Sequence, residues 1–224
     1  LQIDQKLSKK FLQMNNTKIK ICGIKDTRLI DELTKLNIDF IGINFIESSK
    51  RFINSKSAKA ISQKLSSKQT KIKLVGLFQD HDKSLVNELS NDLNLDYVQL
   101  CGNESIEYLE GIEKKIIKTI HIKKELEIEE INQKINLYLE KSDYVILDTY
   151  SKSSSGGTGV SFNWDKYKTL FNKRVFVAGG LNPKNIGDLI KSHNPWGVDV
   201  SSGVEHEGEK SIKKIKDFIK FTEK

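Results

Sequence analysis

Cys22 closes the alternating stretch KIKIC, and Asp148 closes the apolar run YVILD. These two side chains could divide a proton-transfer reaction. An ionised thiol is a base; its ordinary pKa of about 8.5 falls when positive charge stands nearby. A carboxyl that keeps its proton is an acid. Two groups whose surroundings push their pKa values apart can serve one substrate in opposite senses. Each has a plain alternative. A lone cysteine also serves as a small buried hydrophobe, and an aspartate at a strand end also caps a turn or helix. Arg51, in SSKRF, has a planar fork that matches a carboxylate through paired hydrogen bonds, or it is a surface charge.

Glycine and small polar residues concentrate late in the chain, in SSSGGTG (153–159), AGGLNP (178–183) and DVSSGVE (199–205). Such turns let backbone N–H groups approach an anion closely. The turns AGGLNP and DVSSGVE are the candidate phosphate-binding loops. The ligand they suit is a phosphorylated small molecule.

Positioning these groups requires a frame. Short runs rich in Ile and Val read as strands over 18–22, 40–45, 72–78, 97–100, 116–122, 144–148, 175–179 and 197–201. Helical patterns fill the gaps. One starts at a cap on Asp26; others cover 57–65, 83–93, 105–111, 127–140, 164–170, 183–191 and 210–221. Pro183 suits a first helical turn. Eight β–α units predict a single-domain α/β fold, the (β/α)8 TIM barrel, with its site at the C-terminal strand ends. Phosphate sites of such barrels often follow strands seven and eight. An open doubly wound sheet would carry a G-x-G-x-x-G turn after an early strand, and the sequence has none there. Residues 17–224 read as the barrel. Residues 1–16 form an N-terminal extension, read as a disordered tail or as a short helix on the body. Met14 is the chain's only methionine and a third reading makes it the natural start.

Composition removes other classes. No apolar stretch approaches membrane-span length, and an apolar leader core is lacking, so the expected setting is the cytoplasm. Two cysteines do not build a disulfide framework. The four histidines, His81, His121, His193 and His206, show no metal-ligand spacing. Net charge is +7, yet the lysines are scattered and form no basic block interleaved with aromatics. A solvated surface is expected, not a nucleic-acid interface.

The motifs KICGI, GINFIESSKRFI, VGLFQD, VQLCGNE, VILDT, GGTGVSFNW, VAGGLNPKNI and VDVSSGVE occur in this order. Together they resemble the phosphoribosylanthranilate isomerase family of tryptophan biosynthesis, from about residue 18 to 221. The resemblance implies a (β/α)8 barrel with neither metal nor organic cofactor. It implies an Amadori rearrangement of N-(5′-phosphoribosyl)anthranilate to 1-(2-carboxyphenylamino)-1-deoxyribulose 5-phosphate. Cys22 matches the general base and Asp148 the general acid. Arg51 matches the residue that holds the anthranilate carboxylate. Gln99 and Asp199 are substrate-binding candidates, and Gly179, Gly180, Ser202 and Gly203 supply the phosphate grip. The partners implied are the small-molecule substrate and, by association or former fusion, a neighbouring tryptophan-pathway enzyme.

The chain departs from the family in places. The usual QLHG is QLCG here, with Cys101 at the histidine position, and a thiol cannot duplicate two imidazole nitrogens. That departure motivates an alternative, a phosphate-sugar binder that has lost catalysis. Lys25 stands where Thr is usual; either it lowers the thiol pKa or it points to solvent. A Cys22–Cys101 disulfide is not expected, because the first and fourth strands lie across the barrel.

Overall fold

Every second residue of the strands faces the barrel axis, and this alternation builds the molecule. The computed structural model describes residues 17–122, 127–149, 163–171 and 174–222. The first strand, β1 (Lys18–Cys22), is followed by β2 (Phe40–Asn44), β3 (Lys73–Phe78), β4 (Tyr97–Leu100), β5 (Lys115–Ile122), β6 (Tyr144–Thr149), β7 (Val175–Val177) and β8 (Gly197–Val200). All pair in parallel in that order, and β8 returns to β1 with Lys20 opposite Asp199. The sheet is therefore a closed barrel, as the alternating pattern predicts. Among the described residues eight α-helices cover it: α1 (Ile30–Leu33), α2 (Ser55–Ser66), α3 (Lys83–Asp92), α4 (Ile106–Leu109), α5 (Ile128–Leu139), α6 (Trp164–Tyr167), α7 (Ile186–His193) and α8 (Ile212–Thr222).

Two apolar layers hold the fold. The outer one lies between helices and strands. It includes Ile30, Leu33, Ile61, Val86, Ile131, Leu189, Ile215 and Phe218, all essentially buried. Each such side chain contributes about 1.5–3 kcal/mol by leaving water. The inner layer fills the barrel. At the N-terminal strand ends an aromatic plug closes it: Tyr144 stacks on Trp196 at 4.8 Å, and Phe40 meets Tyr97 and Phe176 edge-on at 5.5 Å. Above the plug the inward residues turn polar. Lys20, Gln99, Thr119 and Asp199 are buried there, so the C-terminal half of the barrel is built for chemistry.

Several element ends differ from expectation, each for a local reason. The α2 helix begins at Ser55 because the Asn54 side chain accepts the Ser57 N–H. Pro183 precedes α7; the Asn182 carboxamide oxygen accepts the Lys184 N–H and holds a turn there, so the helix starts at Ile186. Lys210 is not helical. It pairs in a short antiparallel ribbon, Glu205–His206 with Glu209–Lys210, closed by positive φ at Glu207 and Gly208. Ser211 then caps α8 by accepting the Lys214 N–H. The extension 1–16 and the loop 153–159 lie outside the described residues. Among the described residues no helix is long and apolar enough to cross a membrane.

Candidate active site

The parity of KIKIC sends Lys20 and Cys22 to the same, inward side of β1. Cys22 ends the strand at 6 % exposure. The Ser201 hydroxyl donates to its carbonyl at 3.1 Å and ties β1 to the loop after β8. Burial pushes the Cys22 thiol above its ordinary range. The Lys20 ammonium is the strongest opposing influence and acts both as a charge and as a hydrogen-bond donor. Lys20 is itself fully buried and donates to Asp199 at 3.0 Å. Burial lowers its pKa, but Asp199 and Cys22 together more than offset this and raise it. Gly42, the neighbour of Cys22 on β2, leaves the room these groups need. A methyl at Gly42 would sit 3.1 Å from the Cys22 sulfur and 3.3 Å from Lys20 Nζ.

Asp148 lies near the end of β6, on the same inner rim. Its Oδ1 accepts the Thr149 N–H at 2.8 Å. Burial lifts its pKa to about 6; His121 pulls the other way and Asp199 adds to the rise. His121 is the register partner of Asp148 on β5. Its Nε2 donates to the Cys101 carbonyl at 3.0 Å. Cys101 is a second thiol at the rim, pushed by burial to about 12. It remains neutral near physiological pH and is no substitute base. Both cysteines are free.

Arg51 comes from the loop after β2. Asn44 organises that loop by donating to Ser49 Oγ and accepting the Ile46 N–H, and Ser49 Oγ in turn accepts the Arg51 N–H. The side chain lies over Gly23, whose φ is +81° and where a methyl would meet Arg51 Cδ at 2.5 Å. Two of the five guanidinium N–H donors go to Glu205, Nε to Oε1 at 2.6 Å and Nη2 to Oε2 at 2.8 Å. Glu205 also holds Lys210. Burial opposes ionisation of Glu205, yet these two cations hold its carboxyl at about 2. Lys25 reaches outward to Glu209 at 3.1 Å, so the cation against Cys22 is Lys20.

The candidate phosphate residues lie in loops that touch. Gly179 and Gly180 have φ of +84° and +68°, conformations that favour glycine. Gly203 packs onto the Leu181 carbonyl, where any side chain would collide. A methyl at Gly179 would strike Thr149 and come within 2.9 Å of Asp148 Oδ1. The two glycine loops thus border each other and the aspartate. Asn182 and Asn185 both donate to the Gly180 carbonyl, at 3.0 and 2.9 Å. Gln99 is buried, and its Nε2 donates to Thr119 Oγ1 at 3.1 Å. Gln99 Oε1 and Thr149 Oγ1 are buried without a partner among the described residues, a condition that buried polar atoms rarely tolerate unless they serve a ligand or water.

The rim therefore gathers Cys22, Asp148, Arg51, Gln99, Asp199 and the glycines into one mouth. It adds Lys20, Thr149, His121, Glu205 and Lys210, which motif reading passed over. The signal for Lys20 was present: it has the parity of Cys22. For the others no local pattern exists, since their roles depend on neighbours far along the chain. Among the described residues no cluster of His, Cys, Asp or Glu could hold a metal ion.

A family model described as N-(5'phosphoribosyl)anthranilate (PRA) isomerase matches residues 19–221. A relative named N-(5'-phosphoribosyl)anthranilate isomerase from Dehalococcoides mccartyi is 40% identical over 207 residues, covering 90% of this chain and 94% of that protein. One of the same name from Aquifex aeolicus is 37% identical over 211 residues, covering 92% and 98%. Among solved structures, the phosphoribosyl anthranilate isomerase from Thermotoga maritima aligns with TM-score 0.77 at 30% identity, covering 92% of this chain and 98% of that one. Another, solved in complex with reduced 1-(o-carboxyphenylamino)-1-deoxyribulose 5-phosphate, aligns with TM-score 0.73 at 29% identity over the same shares.

Proposed function

The chain belongs to the N-(5'-phosphoribosyl)anthranilate isomerase family, and from that premise we propose that Cys22 and Asp148 are the base and acid of its Amadori rearrangement in tryptophan biosynthesis. Asp148 gives its proton to the ribose ring oxygen, the C1′–O bond breaks, and the anthranilate nitrogen carries the charge as an iminium. The iminium acidifies the C2′–H bond. The Cys22 thiolate takes that proton, and an enolamine forms. C1′ then gains a proton and the 2′-hydroxyl loses one, which yields the aminoketose and restores both side chains. The substrate's own nitrogen is the electron sink, so the steps need only two placed proton carriers. Each such carrier is typically worth about 10²–10⁴-fold in rate.

The observation that carries this reading is the contrast across the mouth. The Asp148 carboxyl is lifted to about 6, within reach of its protonated form near neutrality. The thiol stands against a buried ammonium. The predominant free form has the negative charge on Asp148, and the working form is reached when one proton moves from thiol to carboxyl. In the same reading Arg51 takes the anthranilate carboxylate with the N–H donors that Glu205 leaves over. Gly179, Gly180, Ser202 and Gly203 grip the phosphate, and Gln99 and Asp199 touch the ribose side. A bound ribose held at its phosphate is fixed between the two proton carriers, which converts binding into rate. With the reading go a cytoplasmic setting and an association, or former fusion, with a neighbouring enzyme of the pathway.

Substrate generated in place from anthranilate and phosphoribosyl pyrophosphate reports turnover through the loss of its fluorescence. Cys22→Ala and Asp148→Asn should each lower turnover by at least about 10²-fold, with unchanged far-ultraviolet circular dichroism. Near-parental rates in either variant would end the proposal. Binding without consumption by the parent protein would favour a phosphate-sugar binder instead.

A further inference from the structure

A buried thiol is a poor base unless something compensates its charge when the proton leaves. Five groups face Cys22 from every side of the mouth. Lys20 comes from β1, Asp199 from β8, Lys210 from the ribbon, Arg51 from the β2 loop and Cys101 from the loop after β4. Cys101 is neutral. Glu205 joins the set as the shared partner of Arg51 and Lys210. Three cations and two carboxylates then surround the sulfur, which leaves one positive charge over, and a Cys22 thiolate would balance it. The distribution is uneven. Arg51 and Lys210 are both tied to Glu205, and Lys210 spends further donors on the Ser201 carbonyl and hydroxyl at 3.0 and 3.2 Å. Among the described residues the Lys20 ammonium is held by one carboxylate oxygen, of Asp199, and lies against the sulfur, in space that glycine at position 42 leaves open.

We propose that Lys20 is the positioning residue that makes Cys22 ionisable, its ammonium shared between Asp199 and the thiolate, with Gly42 holding the space for that contact. Asp199 sets how much of the charge reaches the sulfur. The pair thereby lowers the cost of moving one proton from thiol to carboxyl, the step that generates the working form. The inference rests on Cys22 being the base.

The test follows the ionisation of Cys22 directly, by NMR of isotope-labelled cysteine in the full chain carrying Cys101→Ala, so that one thiol remains. In Lys20→Met the titration midpoint should rise by about one pH unit or more, the usual effect of removing an opposite charge at contact distance. In Asp199→Asn, which frees the ammonium, it should fall. In Lys20→Met/Asp199→Asn, which strands no buried charge and guards against failure to fold, it should again lie above the parent. Turnover of the Lys20→Met protein should drop about tenfold or more near neutrality, and the alkaline limb of its pH–rate profile should move up with the thiol midpoint, whereas mere structural damage would leave that limb in place. A midpoint unmoved in the single and double variants would overturn the proposal while leaving Cys22 as base if Cys22→Ala is inactive. A moved midpoint with an active Cys22→Ala protein would instead remove the base assignment and leave the coupling standing.

Discussion

Asp148 shows how a site residue opposes the fold that holds it. Its carboxyl has a value of about 6 in the folded protein and an ordinary value of 3.8. Between those two pH values the unfolded chain releases the proton while the folded one retains it. Stability therefore falls as pH rises through that window and stays lower above it, by on the order of 3 kcal/mol. Asp148→Asn keeps the shape and an oxygen for the Thr149 N–H but carries no charge. It should raise the urea midpoint near pH 7 and lose that advantage near about pH 4, while abolishing turnover. An equal gain at both pH values would show that the carboxyl is not strained by its surroundings. The same reasoning separates the two thiols. Burial raises both, but the strongest opposing influence on Cys22 is a buried ammonium, whereas on Cys101 it is a hydrogen bond from Thr119.

At the scale of elements, the loops at the C-terminal face are held from below by buried polar contacts. The clearest case is the loop after β4. Lys118 leaves the outer side of β5 and donates to Glu104 at 2.6 Å and to the Gly102 carbonyl at 2.7 Å. Glu104 also accepts N–H groups from Asp80 and Gly102, and Tyr138 of α5 donates to the Glu104 carbonyl. Both charged side chains are essentially buried. The loops after β3 and β4 are thus fastened at one carboxylate. Lys118→Met strands that charge and should cost about 3–5 kcal/mol. Lys118→Met/Glu104→Gln should recover most of it, since a neutral acceptor survives. Denaturant unfolding of the two proteins measures this, and equal losses would mean that packing of the lysine stem, not the ion pair, is what matters.

Across the whole molecule the +7 charge is spread over a surface laced with ion pairs, such as Lys59–Asp92 and Lys73–Asp96. Exposed pairs of this kind contribute little each. The carboxylates that govern acid sensitivity are those held low by partners. Glu205, at about 2, is fastened by Arg51 and Lys210 between the loops after β2 and β8. Its folded value is depressed from 4.5, so the stability it contributes is present above that pH and is lost as pH falls towards about 2. Unfolding by urea should become steeply easier below about pH 4. Glu205→Gln should flatten that slope, and an unchanged slope would place the acid-labile contacts elsewhere.

How much was legible in the sequence follows from the range of each interaction. Alternation and helical spacing are local, so all eight strands, the closed barrel and the rim positions of Cys22, Asp148 and Arg51 could be derived before any coordinates. Element ends were less legible, because caps such as Asn54 and the ribbon that claims Lys210 depend on side chains bonding across a turn. What the sequence alone determined is the frame and the strand-end positions of Cys22 and Asp148 at the mouth of the barrel. What the tertiary structure decided is their state: that Lys20 and not Lys25 faces the thiol, that Glu205 engages Arg51, and that His121 stands beside Asp148. Protonation depends on burial and on charges within a few ångströms, and here those charges come from residues separated by up to 179 positions along the chain.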